Sequence, residues 1–197
     1  DTQAQGFGLR GQAMNLLILG DLDEAEQLAQ AAVSRYAASS DQIGEADSWG
    51  LLALVNLRKG HYRRALSNAE QVVDLTTSRA PTSYNLVIAY YCAAETLLAL
   101  YERDDRNNAE DLTDHIEKIL NSFRQYTRRF KIGLPRQHLY TGRWQWLNGK
   151  QSAGLATWQK GLDVANRLNM PYDVALLQYE IGNRMRGDEK SYQAYLS

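Results

Sequence analysis

Cysteine, proline and histidine are scarce in this sequence of 197 residues, which contains one, three and three of them respectively. The single cysteine, Cys92, can form no disulfide within the chain. It suits a reducing compartment, and we expect a cytoplasmic protein. The three histidines are far apart in sequence and lack the paired spacing or cysteine partners of a zinc site. We therefore expect no metal and no cofactor.

An excess of positive charge is also missing, because 22 basic residues face 23 acidic ones and the net charge is −1. Proteins that bind nucleic acid usually carry a basic excess, since neutralising phosphates dominates their affinity. We therefore expect no nucleic-acid partner.

The most apolar stretch is "SYNLVIAYYCAAETLLALY", residues 83–101, and it carries one charge, Glu95. Its strongly apolar part falls short of the ~20 residues that cross a membrane. We expect no membrane contact and place this helix inside a stack of helices. A buried lone carboxylate is costly. Glu95 should therefore either pair with an arginine of a neighbouring helix or face a groove.

Catalytic motifs are lacking as well. The sequence has no G-x-S-x-G turn for a nucleophilic serine, no phosphate-binding G-x-x-x-x-G-K-[ST] loop and no G-x-G-x-x-G. "GFGLRG", residues 6–11, has the wrong spacing for a phosphate loop and is better explained as a loose first helical turn. We expect no enzymatic activity.

Helical periodicity is what the sequence does contain. Apolar residues recur at helical spacing, and each of the three prolines can lie at or near the first turn of a helix. Asp21, Ser40 or Asp41, and Asn107 or Asn108 are suitable first caps. The pattern predicts nine helices and a short tenth one. The nine helices span residues 4–19, 22–38, 42–59, 62–79, 83–102, 108–130, 135–148, 151–168 and 172–186.

Three turn glycines, Gly20, Gly60 and Gly149, each end one predicted helix just before the next. Small residues recur at fixed distances from them, which indicates places where two antiparallel helices approach closely. The small residues seven before each glycine are Ala13, Ala53 and Gly142, and those five after are Ala25, Ala65 and Gly154.

This spacing resembles the tetratricopeptide repeat, and Trp49 matches the aromatic residue that often opens that repeat. The glycines are 40 and 89 residues apart, whereas a regular repeat has ~34. The resemblance implies an all-α, right-handed superhelix of about four antiparallel helix pairs plus a partial fifth. We expect residues 1–197 to form a single repeat domain, cut from a larger multidomain protein.

The last third of the chain resembles the C-terminal repeats of large bacterial signalling ATPases, including those fused to class III adenylate cyclases. It is less closely similar to the helical arm of maltose-regulator-type activators. The residues that carry this pattern are Trp146, Leu147, Gly149, Trp158, Leu162, Ala165, Met170, Pro171, Tyr172 and Gly182. The repeat columns predict that Trp146 and Trp158 pack between helices, while Trp144 is the tryptophan that can line a groove.

These features predict a non-catalytic interaction or regulatory domain of a signalling protein, in which the first helix of each pair contacts a protein, a peptide or another domain of the parent chain. The candidate binding residues are Tyr90, Tyr91, Glu95, Arg136, His138, Arg143 and Trp144. One alternative is a sensor whose groove binds a sugar, nucleotide or metabolite, for which twelve tyrosines and four tryptophans supply aromatic faces. Another alternative is a self-associating module that forms a homodimer through residues 172–196.

Overall fold

The computed structural model describes residues 2–78, 80–103 and 109–186, and within these ranges it is helical with no β-strand. The α-helices of these ranges are α1 (Thr2–Leu19), α2 (Leu22–Ala38), α3 (Gln42–Arg58), α4 (Tyr62–Thr77), α5 (Val87–Arg103), α6 (Ala109–Arg129), α7 (Leu134–Leu147), α8 (Gln151–Arg167) and α9 (Pro171–Met185). Short 3₁₀ turns at Tyr84–Leu86 and Lys131–Gly133 precede α5 and α7. The predicted all-α fold of adjacent, antiparallel helix pairs is confirmed.

One turn geometry joins most consecutive helices. Gly20, Gly60 and Gly149 have positive φ angles of 90°, 76° and 74°, as the sequence predicts, and Ser40 and Asn169 adopt the same left-handed backbone at 56° and 53°. After each of the five, the next N–H donates to the carbonyl five residues earlier, over 2.8 to 3.0 Å. This bond satisfies a carbonyl that the end of the helix would otherwise leave unpaired.

Aspartate side chains cap the N-terminal ends of α2 and α3. Asp21 accepts a hydrogen bond from the N–H of Glu24 at 3.4 Å, and Asp41 accepts from Ile43 and Gly44, each at 3.1 Å. Asp41 is therefore the cap of α3, and Ser40 supplies the left-handed turn before it.

The predicted start of the fifth helix at residue 83 is wrong. Ser83 has an extended backbone and accepts a hydrogen bond from the N–H of Asn85, so a 3₁₀ turn comes first and α5 begins at Val87. The predicted cap at Asn107 or Asn108 and the short tenth helix lie outside the described residues.

The chain divides into two compact units, Asp1–Arg129 and Phe130–Ser197. Unit 1 holds α1 to α6, where α3 packs against α1, α2, α4 and α5. Unit 2 holds α7, α8 and α9, which pack against one another. The small residues chosen from the repeat columns are in the core: Ala25, Ala53 and Ala65 are fully buried.

Trp158 fills the interface between α7 and α8, as the sequence predicts. Its side chain is fully buried, and its indole N–H donates to the carbonyl of Leu139 at 2.9 Å. The ring stacks on Trp146, with 5.5 Å between ring centroids. A Cβ on Gly142 would lie only 2.4 Å from the indole nitrogen, so the glycine makes room for the ring. The two tryptophans are packing residues of unit 2.

Candidate functional site

The first helices of the three pairs in unit 1 share one surface, which begins on α1. Phe7, Met14 and Ile18 are spaced at i, i+7 and i+11, so they lie on one side of this helix. Phe7 is 60% exposed and Ile18 is 67% exposed, whereas Met14 is half-buried. Large apolar side chains exposed in a row on a helix are typical of contact surfaces.

Helix α5 forms the opposite side of the same surface. The hydroxyl of Tyr91 donates to the sulfur of Met14 at 3.7 Å, which brings α5 next to α1. Glu95 follows one turn after Tyr91 and is half-buried, and Glu102 is exposed at the end of the helix. We call the surface formed by Phe7, Met14, Ile18, Leu54, Arg58, Tyr91, Glu95 and Glu102 the first-helix face.

Helix α3 supplies the floor of the first-helix face. Asp47 is buried, and one of its carboxylate oxygens pairs with the guanidinium of Arg10 on α1. The other oxygen accepts the backbone N–H of Ala89 on α5 at 3.1 Å. Burial raises the pKa of Asp47 to about 7, while the Arg10 charge opposes the rise. This one carboxyl group therefore ties together the three helices that form the face.

Leu54 and Arg58 continue the floor, because they follow Asp47 at i+7 and i+11. Leu54 belongs to the buried cluster against which Met14 and Tyr91 pack. Arg58 donates to the carbonyl of Leu17 at 2.8 Å, and this bond caps the C-terminal end of α1.

A cavity of about 300 Å³ opens at the N-terminal end of the first-helix face. Its walls include the rings of Phe7 and Tyr36, together with Arg10, Asp41 and Asn85. Most of the aromatic surface belongs to Phe7, since Tyr36 is only 2% exposed, and the Arg10 guanidinium lies 5.1 Å from the centre of the Phe7 ring. The cavity has the volume and the mixed lining of a small binding pocket.

Two of the predicted binding residues, Tyr91 and Glu95, lie together on the first-helix face. Tyr90 does not, because its side chain is only 1% exposed. Its ring stacks on Phe123 at 5.1 Å and lies 5.2 Å from the ring of Tyr126. Burial raises the pKa of Tyr90 to about 12. The structure therefore places Tyr90 in the aromatic core between α5 and α6.

The other four predicted binding residues belong to α7 in unit 2. Arg136 pairs with the carboxylate of Asp173 on α9 at 2.5 Å, and its guanidinium lies 5.3 Å from the ring centre of Tyr172. Arg136 thus joins α7 to α9.

His138 is half-buried, and burial, with a contribution from the charge of Lys160, lowers its pKa.

Arg143 and Trp144 are adjacent on α7 but differ in exposure. Arg143 is buried, whereas Trp144 is half-buried. Of the four predicted residues of unit 2, Trp144 and His138 retain accessible ring surface.

The α1 side of the first-helix face was missed by reasoning from the sequence. The stretch of residues 6–11 was expected to be a loose first turn, but it is regular helix. Gly6 lies close to Tyr36, because a Cβ at this position would be 3.1 Å from the tyrosine ring. The spacing of Phe7, Met14 and Ile18 at i, i+7 and i+11 is the sequence pattern that indicates this apolar side of α1.

Within the described ranges, no group of three or more His, Cys, Asp or Glu side chains is placed to hold a metal ion. None of the helices in those ranges is long and apolar enough to span a membrane.

Comparison with known proteins supports the repeat architecture. Residues 8–78, which cover most of α1 and all of α2, α3 and α4, match the family model of the tetratricopeptide repeat. No curated protein matches the chain significantly. Together with the paired helices, the match supports a tetratricopeptide-repeat-like architecture for residues 8–78. Repeats of this family are generally scaffolds for protein–protein interaction and are typically not catalytic.

Proposed function

We propose that the chain is a protein-interaction and regulatory domain of a multidomain signalling protein, and that a protein partner docks on the first-helix face of unit 1. The exposure of Phe7 and Ile18 on one side of α1 carries this proposal. Exposed side chains of this size stabilise a complex when a partner removes them from water, by about 1.5–3 kcal/mol for each fully buried side chain.

The architecture of the face supports docking of an elongated segment. Phe7 and Ile18 are eleven residues apart, so the apolar row on α1 extends about 16 Å along the helix. Tyr91 and Glu95 follow the same direction on α5, since the first helices of successive pairs run parallel. A peptide or a helix that lies along the face contacts both helices at once.

The parent protein that we propose is a bacterial signalling ATPase or a nucleotide cyclase, in which this domain regulates the catalytic part. The support is the resemblance of residues 133–182, in which Trp146, Trp158 and the Met170–Pro171–Tyr172 segment carry the pattern. On this proposal residues 1–197 are one repeat domain of a longer cytoplasmic chain. His138 and Trp144 of unit 2 are the contact candidates of its second half.

A small-ligand sensor is the second candidate function, and the cavity beside Phe7 and Tyr36 favours it. The exposed ring of Phe7 can stack on a planar ligand, and Asn85 supplies a polar group. Self-association is the third candidate. Tyr172 and Tyr179 lie on one side of α9, and each is 65% exposed. Residues 187–196 of the proposed dimer contact lie outside the described residues.

The decisive experiment selects peptides and then locates where they bind. The chain is panned against a phage library of random 16-residue peptides, and in parallel it is screened by thermal shift against nucleotides and sugars. We expect enriched peptides whose affinity falls about tenfold or more in Ile18→Ser, because an interface loses a well-buried anchor. The matched control is Leu19→Ser, since Leu19 is 80% exposed and adjacent in sequence but points about 100° away around the helix.

Two results would contradict the proposed docking. One is a reproducible rise in melting temperature with a nucleotide or sugar while no peptide is enriched, which favours the sensor. The other is an equal loss of peptide affinity in Ile18→Ser and Leu19→Ser, which removes the first-helix face as the site.

A further inference from the structure

A second cavity of unit 1 lies beside Tyr90, and its volume is about 300 Å³. It is formed by the turn between α2 and α3, the C-terminal end of α4 and the segment that leads into α5. Leu75, Pro81 and Tyr90 line this cavity and take no part in the cavity beside Phe7. The two cavities are therefore distinct, although both reach Ile43.

The Tyr90 hydroxyl is the polar group at the buried side of this cavity. The side chain is only 1% exposed, and its ring stacks on Phe123. Protein atoms do not enclose the hydroxyl completely, so it opens on the cavity that Tyr90 lines. Among the described residues, none forms a hydrogen bond with it. A buried hydroxyl without a partner is unfavourable, and an acceptor in the cavity would remove this cost.

Helix α6 holds the wall of the cavity that residues 81–86 form. Arg129 donates to the carbonyl of Pro81 at 3.1 Å, and the Tyr126 hydroxyl donates to the carbonyl of Tyr84 at 2.7 Å. Pro81 and Leu86 are themselves buried. This wall is therefore in place before a ligand binds, which lowers the cost of ordering it.

The lining also restricts the charge of a ligand. Of the described residues that line the cavity, Asp41 is the charged one, and none is a lysine or an arginine. The Asp41 carboxylate accepts the N–H groups of Ile43 and Gly44, each at 3.1 Å. An acidic ligand would therefore meet a negative charge and no cation. Apolar walls come from Ile43, Leu75, Pro81 and Leu86.

We propose that this cavity binds an uncharged small molecule with an apolar body and a carbonyl oxygen, and that the Tyr90 hydroxyl donates a hydrogen bond to this oxygen. Small-molecule pockets are mostly apolar, with a few polar groups that fix the orientation of the ligand. The lining has this composition, because one buried hydroxyl lies among apolar side chains. The inference goes beyond docking on the first-helix face and does not depend on it.

The experiment compares three probes of similar size. Acetophenone has the carbonyl oxygen, α-methylstyrene has a methylene group in its place, and benzoate is an anion. Each is titrated into the isotope-labelled full chain, and the NMR shifts of backbone amides give the site and the Kd. We expect shifts at Ile43, Thr82 and Leu86, and acetophenone should bind on the order of tenfold more tightly than benzoate.

Two variants assign the hydrogen bond. Tyr90→Phe keeps the ring on Phe123 and removes the hydroxyl, so it should weaken acetophenone about two- to tenfold and leave α-methylstyrene unchanged. Its melting temperature should not fall, because the hydroxyl has no partner among the described residues. Tyr36→Phe is the matched control, since Tyr36 lines the cavity beside Phe7, and it should change neither affinity.

Four results overturn the inference. The first is no shift with acetophenone, and the second is benzoate binding as tightly as acetophenone. The third is an equal effect of Tyr90→Phe on acetophenone and α-methylstyrene, which removes the hydrogen bond. The fourth is a loss of affinity in Tyr36→Phe with shifts at Phe7 and Asn85, which places the ligand in the other cavity. None of these results bears on the docking of a protein partner, which Ile18→Ser tests separately.

Discussion

Gly142→Ala tests the contact between α7 and α8 most directly. The added Cβ would lie 2.4 Å from Nε1 and 2.5 Å from Cδ1 of Trp158. The ring has little room to move, since it is fully buried, stacked on Trp146 and hydrogen-bonded to the carbonyl of Leu139. Inserting a methyl group into a packed core costs about 1–3 kcal/mol.

Two smaller contributions to the stability of Gly142→Ala act in opposite directions. Alanine is a better helix former than glycine by roughly 1 kcal/mol. Displacing the indole weakens its hydrogen bond to Leu139, which contributes about 0.5–1.5 kcal/mol. These two terms nearly cancel, so the overpacking decides the sign. We expect Gly142→Ala to lower the free energy of unfolding by about 1–3 kcal/mol.

Gly182→Ala is the matched control in the same unit. Gly182 is also helical, in α9, but apart from the adjacent backbone of its own helix no atom lies within 4 Å of the position of its Cβ. The substitution should therefore leave stability unchanged or raise it by up to about 1 kcal/mol. The same glycine-to-alanine substitution should therefore destabilise the protein at position 142 but not at position 182.

Denaturant unfolding followed by tryptophan fluorescence measures both variants. Trp144, Trp146 and Trp158 lie in unit 2, and Trp49 is in unit 1, so the signal reports mainly on unit 2. Gly142→Ala combined with Trp158→Phe should be less destabilised than the sum of the two single changes, because the smaller ring makes room for the methyl group. Equal stability of Gly142→Ala and Gly182→Ala would refute the reasoning.

Unit 1 gives three further predictions. At pH 8, Asp47→Ala should lower the free energy of unfolding by about 3–5 kcal/mol, because it leaves the buried Arg10 charge unpaired. The double variant Asp47→Ala with Arg10→Met should lower it by less, and chemical denaturation measures both. The pKa of Asp47 rises from 3.8 to about 7 on folding. The free energy of unfolding should therefore fall as the pH rises from about 4 to about 7, by at most ~1.4 kcal/mol per pH unit, and Asp47→Asn should remove this dependence. Tyr126→Phe removes the 2.7 Å hydrogen bond from the Tyr126 hydroxyl to the carbonyl of Tyr84. It should lower the free energy of unfolding by about 1 kcal/mol, which a lower melting temperature would reveal.

The helices and their turns could be predicted from the sequence because their causes are local. Gly20, Gly60 and Gly149 were found because glycine is the usual residue for a left-handed turn. Ser40 and Asn169 occupy the same backbone region and were not assigned to it. With them, the turns at residues 20, 40 and 60 are evenly spaced, so a helix and its turn take 20 residues. Two such units account for the 40-residue repeat.

The helical boundary before α5 could not be predicted in this way. Apolar periodicity continued through residues 83–86, but Ser83 binds the N–H of Asn85 and holds a 3₁₀ turn instead. A short polar side chain can compete with the helix for backbone hydrogen bonds. The spacing of apolar residues does not predict where such a side chain wins, so it could not locate this boundary.

The sequence by itself determined the repeat, the small residues in its columns and the packing of Trp146 and Trp158. All of these depend on spacing along one chain, which helical geometry converts directly into a face. The tertiary structure alone decided which of two adjacent tyrosines is accessible. Tyr90 stacks on Phe123 in the core, whereas Tyr91 reaches Met14 on the first-helix face. Residues one position apart differ by about 100° around a helix, and only the neighbouring helices decide which direction is covered.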